Sequence, residues 1–343
     1  MLRKTLLPLL ILFPLLTCLP SGTAEAGMPF FGRKKDKEEK EEKTGRRRGG
    51  LFPGSNDVDG LKQVRKPLTY KGETFQEFYG KAGNIYIEYG MLTMQAAEYD
   101  YGPAKGRVNL EIFTLETPIN AAGLFHYNRG RLRAPGQKVD VGAEGILDVG
   151  RKGRNLYFYR AKSFVKIVYS GKGEAPDLLP IAEYVDSHLP SGRDDKPDGL
   201  DYIDIEGISK DTIAITPGFT FNISFMPPSV WASAPGGGSP ASDLFVITRN
   251  LDRDAEEIFR DYTSYLKLHA KYIEEYTREN MKYTKAVDPT QGRVVFTCYR
   301  NAVIVAARPD GYEKGEVLID RVMERIDEIK GTPKKSRGLF RKK

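Results

Sequence analysis

The sequence has few of the residues that usually perform chemistry. Its 343 residues include only two cysteines, three histidines and one tryptophan. Two cysteines cannot form a disulfide framework, and the two here are too far apart for a metal-ligand motif. The motifs of serine hydrolases, zinc proteases, P-loop proteins and dinucleotide-binding proteins are all missing. We therefore expect no cofactor and no metal, and these patterns alone reveal no activity.

Net positive charge is confined to the two ends of the chain. Lys and Arg exceed Asp and Glu by 53 to 46, but residues 33–48 contribute about +4 and residues 334–343 about +6. The stretch 49–333 is left at about −4 by the same count. A nucleic-acid domain would concentrate bases on a folded face, so we expect no nucleic-acid partner. The basic ends are either solvated and disordered or in contact with an anionic membrane surface.

Long hydrophobic runs are limited to the N-terminus. A short positive start precedes the apolar residues 6–19, and a small-residue segment with Ala24 and Ala26 follows. This order is typical of a secretory signal, and the run is too short for a comfortable spanning helix. The pattern predicts a signal peptide over residues 1–26 and an extracytoplasmic protein, either periplasmic or secreted.

An alternative treatment of the N-terminus involves Cys18. Residues 15–18 (Leu-Leu-Thr-Cys) approximate a lipobox, with Thr17 at a position that usually holds Gly, Ala or Ser. A lipid-anchored form through Cys18 therefore remains open. Cleavage after Ala26 would instead remove Cys18 and leave Cys298 as the only thiol.

The remaining chain divides into four regions by composition. Residues 27–60 are low in apolar side chains and are predicted as a disordered charged linker. Residues 61–192 and 193–332 are predicted as two α+β units, and residues 333–343 as a basic disordered tail. Aromatic and β-branched runs between Gly and Pro predict nine strands: 92–101, 108–115, 146–151, 156–160, 163–169, 219–225, 244–248, 294–300 and 302–308.

Helices are indicated by capping residues and by apolar positions at i, i+3, i+4 spacing. A helix is predicted to begin at Thr117, where Thr caps and Pro118 fits the first turn. A second is predicted from Asp254 with an apolar stripe to Tyr276, and a third over 316–329, ended by Gly331.

These elements recur in the same order in both halves. Residues 110–127 match 244–262, and residues 156–170 match 295–309, where the pair Tyr159-Arg160 is set against Tyr299-Arg300. The offsets are about 134 and 140 residues. Each half then ends in an amphipathic helix, over 178–189 and 316–329. We predict an α+β fold of two tandem similar units of antiparallel sheet with packed helices; chance similarity of amphipathic elements is the alternative.

Two segments also suggest a family. Residues 80–101 (GKAGNIYIEYGMLTMQAAEYDY) and 108–129 (VNLEIFTLETPINAAGLFHYNR) resemble the bacterial family called domain of unknown function 6599. The resemblance covers most of residues 70–329, and Asn84 stands where many members have an acid. It implies an exported protein of this fold. It implies nothing about chemistry, because the family has no assigned activity.

A ligand site is predicted from a polar cluster near the first long helix. His126, Tyr127 and Arg129 follow its Ala-Ala-Gly start, and the Tyr-rich segment of residues 84–90 precedes the strand before it. Clefts between packed units are common ligand sites. The candidate ligand-binding residues are Tyr86, Glu88, Tyr89, His126, Tyr127 and Arg129. A surface or packing role for His126 is the alternative.

Other chemically capable residues have simpler interpretations. We interpret His269 as a core residue on an apolar stripe, and His188 as a helix C-terminal residue. Cys298 is interpreted as a buried small hydrophobe. Trp231 is either core or an exposed aromatic that binds glycan or protein. The acidic segment 194–201 fits a calcium loop poorly and reads as a linker.

Two function hypotheses follow. The first is a non-catalytic binding or interaction module of the bacterial cell envelope, with an unknown ligand or an envelope protein as partner. The second is a hydrolase acting on envelope polymers, with carboxylate or His chemistry assembled by the fold, because such pairs need no sequence spacing. We expect the first, and no catalytic residue is assigned.

Overall fold

The computed structural model describes residues 50–331, except 103–105, 133–135, 151–152, 172–175, 193–194, 209 and 235–241. The predicted signal peptide, Cys18, most of the charged linker and the basic tail lie outside the described residues. Within the described residues, no helix combines the length and the apolar character needed to cross a membrane.

The first antiparallel sheet has eight strands in the described part of the chain, in the order β1-β3-β4-β8-β7-β6-β5 with β2 also paired to β3. They are β1 (Leu61–Gln63), β2 (Leu68–Tyr70), β3 (Met91–Tyr101), β4 (Gly106–Leu115), β5 (Gln137–Val139), β6 (Glu144–Gly150), β7 (Gly153–Arg160) and β8 (Ser163–Ser170).

The second antiparallel sheet has seven described strands in the order β12-β13-β14-β15-β11-β10-β9. They are β9 (Ala214–Ile215), β10 (Val230–Ala234), β11 (Ser242–Thr248), β12 (Ile273–Arg278), β13 (Met281–Asp288), β14 (Gly292–Tyr299) and β15 (Ala302–Ala307).

Helices lie against both sheets. They are α1 (Glu73–Tyr79), α2 (Asn84–Glu88), α3 (Pro118–Arg129), α4 (Leu179–His188), α5 (Asp198–Tyr202), α6 (Asp252–His269) and α7 (Tyr312–Lys330), with 3₁₀ helices at Gly80–Gly83, Lys210–Thr212 and Thr220–Asn222. The predicted cap of α3 is confirmed, since Thr117 Oγ1 accepts a hydrogen bond from the Asn120 amide at 3.4 Å. Gly331, at φ 78°, ends α7 as expected.

The predicted α+β fold with two similar antiparallel units is confirmed. In each unit a hairpin (β3-β4 or β10-β11) leads into a helix (α3 or α6). A four-stranded meander follows (β5 to β8 or β12 to β15), and its last strand pairs with the second hairpin strand. Each unit then ends in a helix, α4 or α7.

The ladder registers give the offsets between the units. Leu110 pairs with Ile167 in the first sheet, and Leu244 pairs with Ala306 in the second. If Leu110 is equivalent to Leu244, as the sequence repeat places them, the offset is 134 in the hairpin strand and 139 in the last strand. The turns agree with the second value, since Arg160 pairs with Ser163 and Tyr299 with Ala302. At the second offset Arg160 corresponds to Tyr299, so the predicted pairing of Tyr159-Arg160 with Tyr299-Arg300 is wrong by one residue. A slip of one residue would exchange the two faces of the sheet.

The apolar side chains form three clusters, because each sheet is covered on both faces. One lies between the first sheet and α4, and another between the second sheet and α6. The central cluster contains residues of both sheets together with α3, α5 and α7. Coverage on both faces explains why β15 is apolar and buried at every position rather than alternating.

Two predicted elements are wrong. Residues 219–225 do not form a strand: they contain a 3₁₀ turn in which Phe221 and Asn222 have left-handed φ values of 56° and 59°. The helix predicted from Asp254 to Tyr276 begins at Asp252 and ends at His269, and β12 follows it. His269 is therefore an exposed helix end rather than a core residue.

The end of the predicted linker also differs from expectation. Within its described residues, 50–60, Leu51, Phe52 and Val58 pack against the cluster under α4. The Tyr184 hydroxyl of α4 donates a hydrogen bond to the Gly50 carbonyl at 3.3 Å. The apolar side chains in this short stretch are sufficient to dock it on the first unit.

Candidate functional site

Two of the predicted site residues meet on one face of α3. His126 and Arg129 are three positions apart, so they project in the same direction. Both approach Glu144 of β6: Glu144 Oε2 lies 4.0 Å from His126 Nε2 and 3.9 Å from Arg129 Nη1. Lys196 Nζ lies 4.0 Å from the other Glu144 oxygen. These four side chains form the polar cluster referred to below as the His126 cluster.

His126 is only 6% exposed, and within the described residues neither of its ring nitrogens makes a hydrogen bond of standard geometry. Burial lowers the pKa of the imidazole to about 3, and the positive charges of Arg129 and Lys196 act in the same direction. The backbone of Ile213 raises the pKa, but by less than burial lowers it. The imidazole is therefore neutral over the physiological range.

Tyr89 and Tyr127 form a second group beside this cluster. Their ring centroids are 6.3 Å apart, and the buried Tyr89 hydroxyl donates a hydrogen bond to the Ile215 carbonyl of β9 at 3.0 Å. The Tyr127 hydroxyl accepts a hydrogen bond from Arg131 at 3.0 Å. Tyr89 thus connects the first unit to the edge of the second sheet.

Tyr86 belongs to a third group on the face of the first sheet. Its ring stacks on Phe113 at 4.5 Å between centroids. Nearby, Lys166 pairs with the buried Glu111 at 3.2 Å and donates a hydrogen bond to the Tyr79 hydroxyl at 3.0 Å. Burial opposes the charge of Lys166, but Glu111 and the surrounding phenols raise its pKa overall.

Glu88, the remaining candidate, is exposed at the end of α2. The six predicted residues therefore lie in several surroundings, and Tyr86 and Tyr89 are largely occupied by packing. Their assignment as a ligand site remains a prediction.

A pocket of about 520 Å³ lies on the second unit instead. We call it the aromatic pocket, and its lining residues are Phe221, Asn222, Ile223, Ser224, Phe225, Tyr265, Thr290 and Gln291. One wall is the irregular segment after β9, another is α6, and the third is the turn between β13 and β14. None of the eight side chains is charged, and three are aromatic.

The turn that forms one wall is held by the buried carboxylate of Asp288. Its Oδ1 accepts hydrogen bonds from the amides of Thr290 and Gln291, at 2.7 and 2.9 Å, and from the Thr290 hydroxyl. Its Oδ2 accepts the Tyr262 hydroxyl of α6 at 2.9 Å. Because one carboxylate ties this turn to α6, two walls of the aromatic pocket are fixed relative to each other.

The opposite wall stores backbone strain. Phe221 is a bulky residue in left-handed conformation, which costs on the order of 1–3 kcal/mol and persists only where the surroundings enforce it. Here the buried Thr220 supplies that restraint: its amide donates to the Met226 carbonyl and its hydroxyl to the Pro227 carbonyl. The Phe221 ring packs edge-on against Phe245 at 4.7 Å.

Sequence reasoning missed this pocket because residues 219–225 (FTFNISF) alternate apolar and polar side chains like a strand. The signals that favour an irregular segment were Pro217-Gly218 before it and Pro227-Pro228 after it. Three aromatics between such breaks, in a segment with no regular partner, are a reasonable indication of a recognition loop.

The other chemically capable residues have structural surroundings. Trp231 is half-buried in β10 and stacks on Phe245 with ring centroids 6.0 Å apart. Burial raises the pKa of the Cys298 thiol to about 12, so it is not activated as a nucleophile. In the described part of the chain, no group of three or more His, Cys, Asp or Glu side chains could hold a metal ion.

Comparisons with known proteins add one similarity. No family model and no curated protein matches the sequence. The crystal structure of the extracellular domain of PknH from Mycobacterium tuberculosis is similar over 81% of this chain and 93% of that chain, at 8% sequence identity. The TM-score is 0.19, and at that value the similarity carries no argument about this chain.

Proposed function

We propose that the protein is an exported, non-catalytic binding module of the bacterial cell envelope, and that its ligand occupies the aromatic pocket. The observation that supports this proposal is the lining of the pocket. Aromatic rings, side-chain amides and hydroxyls can hold a ligand in a fixed orientation. The lining contains no His, Cys, Lys or carboxylate side chain, so its hydroxyl groups have no base among the lining residues to activate them.

The rigidity of the pocket also supports binding. Asp288 fixes the turn at Thr290 and Gln291, and Thr220 fixes the strained segment at Phe221. A site whose walls are already ordered loses less conformational entropy when a ligand binds.

The experiment is retention of envelope components by the purified protein. Wild-type protein and a Tyr265→Ala variant are incubated with a fractionated envelope extract, and retained compounds are identified by mass spectrometry. We expect wild type to retain a compound that Tyr265→Ala loses. Tyr272→Ala is the control, since Tyr272 is a tyrosine of the same unit, 43% exposed, that does not line the pocket. If both variants retain the same compounds as wild type, the proposal fails.

The export part of the proposal rests on the N-terminal sequence. The mass of the protein purified from the expressing cell distinguishes its forms: a chain that begins at Gly27 supports cleavage after Ala26. An acylated Cys18 would support the lipid-anchored form, and an intact N-terminus would contradict both. The same proposal has three further parts. The basic segments contact anionic membrane, the chain belongs to the domain of unknown function 6599 family, and the two domains divide at residue 192. The matching strand order of the two units supports an internal repeat.

A hydrolase is the second candidate function, favoured by one observation. Glu144 lies 4.0 Å from the Nε2 of the neutral His126, which is the kind of acid–base pair that the fold could assemble. Burial of His126 weighs against it, because a general base must reach its substrate. Cleavage of an envelope polymer that is lost in His126→Gln would favour this second function.

A further inference from the structure

We infer that the aromatic pocket recognises an uncharged carbohydrate chain. This inference rests on the proposed function and specifies its ligand class. Its basis is the combination of an aromatic wall, a set of neutral hydrogen-bonding groups and the lack of charge among the eight lining side chains.

Because the lining has no charged side chain, the pocket favours an uncharged ligand over an ionic one. A carboxylate, phosphate or ammonium that enters a pocket loses hydration, and no charged side chain of the lining compensates for that loss. The one carboxylate beneath the pocket, Asp288, is 2% exposed and is occupied by Tyr262, Thr290 and Gln291. It is therefore not free to pair with a cation.

The polar groups of the lining exclude a purely apolar ligand. Asn222 and Gln291 each carry an amide that both donates and accepts, while Ser224 and Thr290 carry hydroxyls. The Thr290 hydroxyl already donates to Asp288 and accepts from Gln291 Nε2. An apolar ligand would cover the other amide and hydroxyl groups, those of Asn222 and Ser224 and the amide oxygen of Gln291, without offering them a partner, at a cost that a polar ligand avoids. The ligand should therefore present several neutral donors and acceptors.

The aromatic groups define the other half of the ligand. Phe225 is 36% exposed and meets Tyr265 edge-on with centroids 6.3 Å apart. Phe219, in the same segment, is 52% exposed. Ring faces attract C–H groups that carry partial positive charge. A sugar ring offers such C–H groups on its face and hydroxyls around its rim, so it satisfies both halves of the lining.

The chain contains a natural reporter for this binding. Trp231, the single tryptophan, stacks on Phe245, and Phe245 contacts Phe221 of the pocket wall. A ligand that presses on Phe221 should therefore change the tryptophan fluorescence, and isothermal titration calorimetry measures the same binding without a reporter.

The experiment titrates the mature protein with cellohexaose, chitohexaose and maltohexaose as neutral probes. The charged probes are the glucosamine hexamer, which differs from cellohexaose only at C2, and a galacturonate hexamer, and all probes are titrated in mildly acidic buffer, where the glucosamine amines are protonated and the galacturonate carboxylates are ionised. We expect saturable binding of at least one neutral probe at millimolar concentration or below, with every charged probe at least about tenfold weaker. The inference is overturned if no neutral probe binds, or if a charged probe binds as tightly.

Variants locate the binding and separate the two proposals. Tyr265→Ala and Gln291→Glu should each weaken binding of the neutral probe at least about tenfold, and Tyr272→Ala should leave it unchanged. Gln291→Glu is nearly isosteric, so it tests the site even if Tyr265→Ala folds poorly. Decaproline is titrated in parallel, because proline-rich peptides also dock on aromatic grooves. Binding of decaproline in place of sugar would overturn the carbohydrate inference and leave the binding module intact. If no probe and no extract component binds in a Tyr265-dependent way, both proposals fail.

Discussion

Among individual residues, His126 is the one whose protonation the fold opposes most directly. Its ring is enclosed by α3, β6 and the segment before α5, and the charged groups around it are Arg129, Glu144 and Lys196. The pKa of His126 is about 3 in the folded protein, against 6.5 for an ordinary histidine. Between these values the unfolded chain binds a proton that the folded protein does not.

This difference predicts loss of stability in mild acid. Because the folded pKa is the lower one, the stabilising contribution is complete above pH 6.5 and disappears as the pH falls toward 3. Between pH 7 and pH 5 this difference in pKa lowers the free energy of unfolding by about 2 kcal/mol. Urea unfolding at both pH values measures it. We expect His126→Gln to lose about 2 kcal/mol less than wild type over this interval, whereas the exposed His269→Gln keeps most of the wild-type difference. An unchanged pH dependence in His126→Gln would contradict the prediction.

At the level of elements, the contact between α3 and β9 depends on a glycine in the middle of a helix. A Cβ at Gly123 would lie 2.5 Å from Tyr89 Cε1 and 3.2 Å from Ile215 Cγ2. Tyr89 cannot move aside without breaking its hydrogen bond to the Ile215 carbonyl. The small residue therefore permits the close approach of the helix to an edge strand of the other sheet.

Gly123→Ala is expected to destabilise the protein despite the better helix propensity of alanine. Overpacking costs about 1–3 kcal/mol, and the propensity gain offsets about 1 kcal/mol of it. The matched control is Gly130→Ala at the end of the same helix, where a Cβ meets only ordinary contacts at 3.5 Å and beyond. Urea unfolding should give a lower stability for Gly123→Ala and little change for Gly130→Ala. If Gly123→Ala and Gly130→Ala were equally stable, the prediction would be wrong, because Tyr89 and Ile215 would then move aside at little cost.

The helices and strands also show which elements the sequence patterns predict correctly and which they do not. Strands that are mostly apolar and buried along their length, such as β11 and β15, were predicted from their runs of apolar residues. The helix α6 was predicted too long because Tyr272, Ile273 and Tyr276 continue its spacing. Ile273 and Tyr276 instead belong to β12, which pairs with β13 through a two-residue turn at Glu279 and Asn280, both in left-handed conformation. Such a turn lacks the glycine that would announce it.

The aromatic pocket could not be predicted by the same means. It joins residues about 40 and 70 positions apart in sequence, from the Phe221 segment, α6 and the turn at Thr290. Their proximity is created by the packing of α6 on the second sheet, and no local pattern reports it. His126, Tyr127 and Arg129 were predicted together because they follow one helix start, but Glu144, which approaches His126 and Arg129, lies on another element.

Across the whole molecule, the central cluster joins the two similar units. It contains Phe113 and Phe164 of the first sheet, Ile304 of the second, and Ile319 of α7 in one continuous apolar group. The repeated order of strands was visible in the sequence because each half keeps its turn and helix signals. The packing of the two halves against each other was not visible in the sequence. The residues that meet in the central cluster are far apart in the chain, and no periodicity or spacing relates them.

Because the two units share the central cluster, we expect a substitution that destabilises one unit to destabilise the other. Ile319 is fully buried on α7, and Ile319→Ala should cost about 2–5 kcal/mol. If the units unfold together, amide hydrogen exchange in β4 of the first sheet should lose as much protection as exchange in β14, beside α7. Ile329→Ala, at a 44% exposed position of the same helix, should change neither. Loss of protection confined to the second sheet would mean that the central cluster does not couple the units, since each would then open without the other.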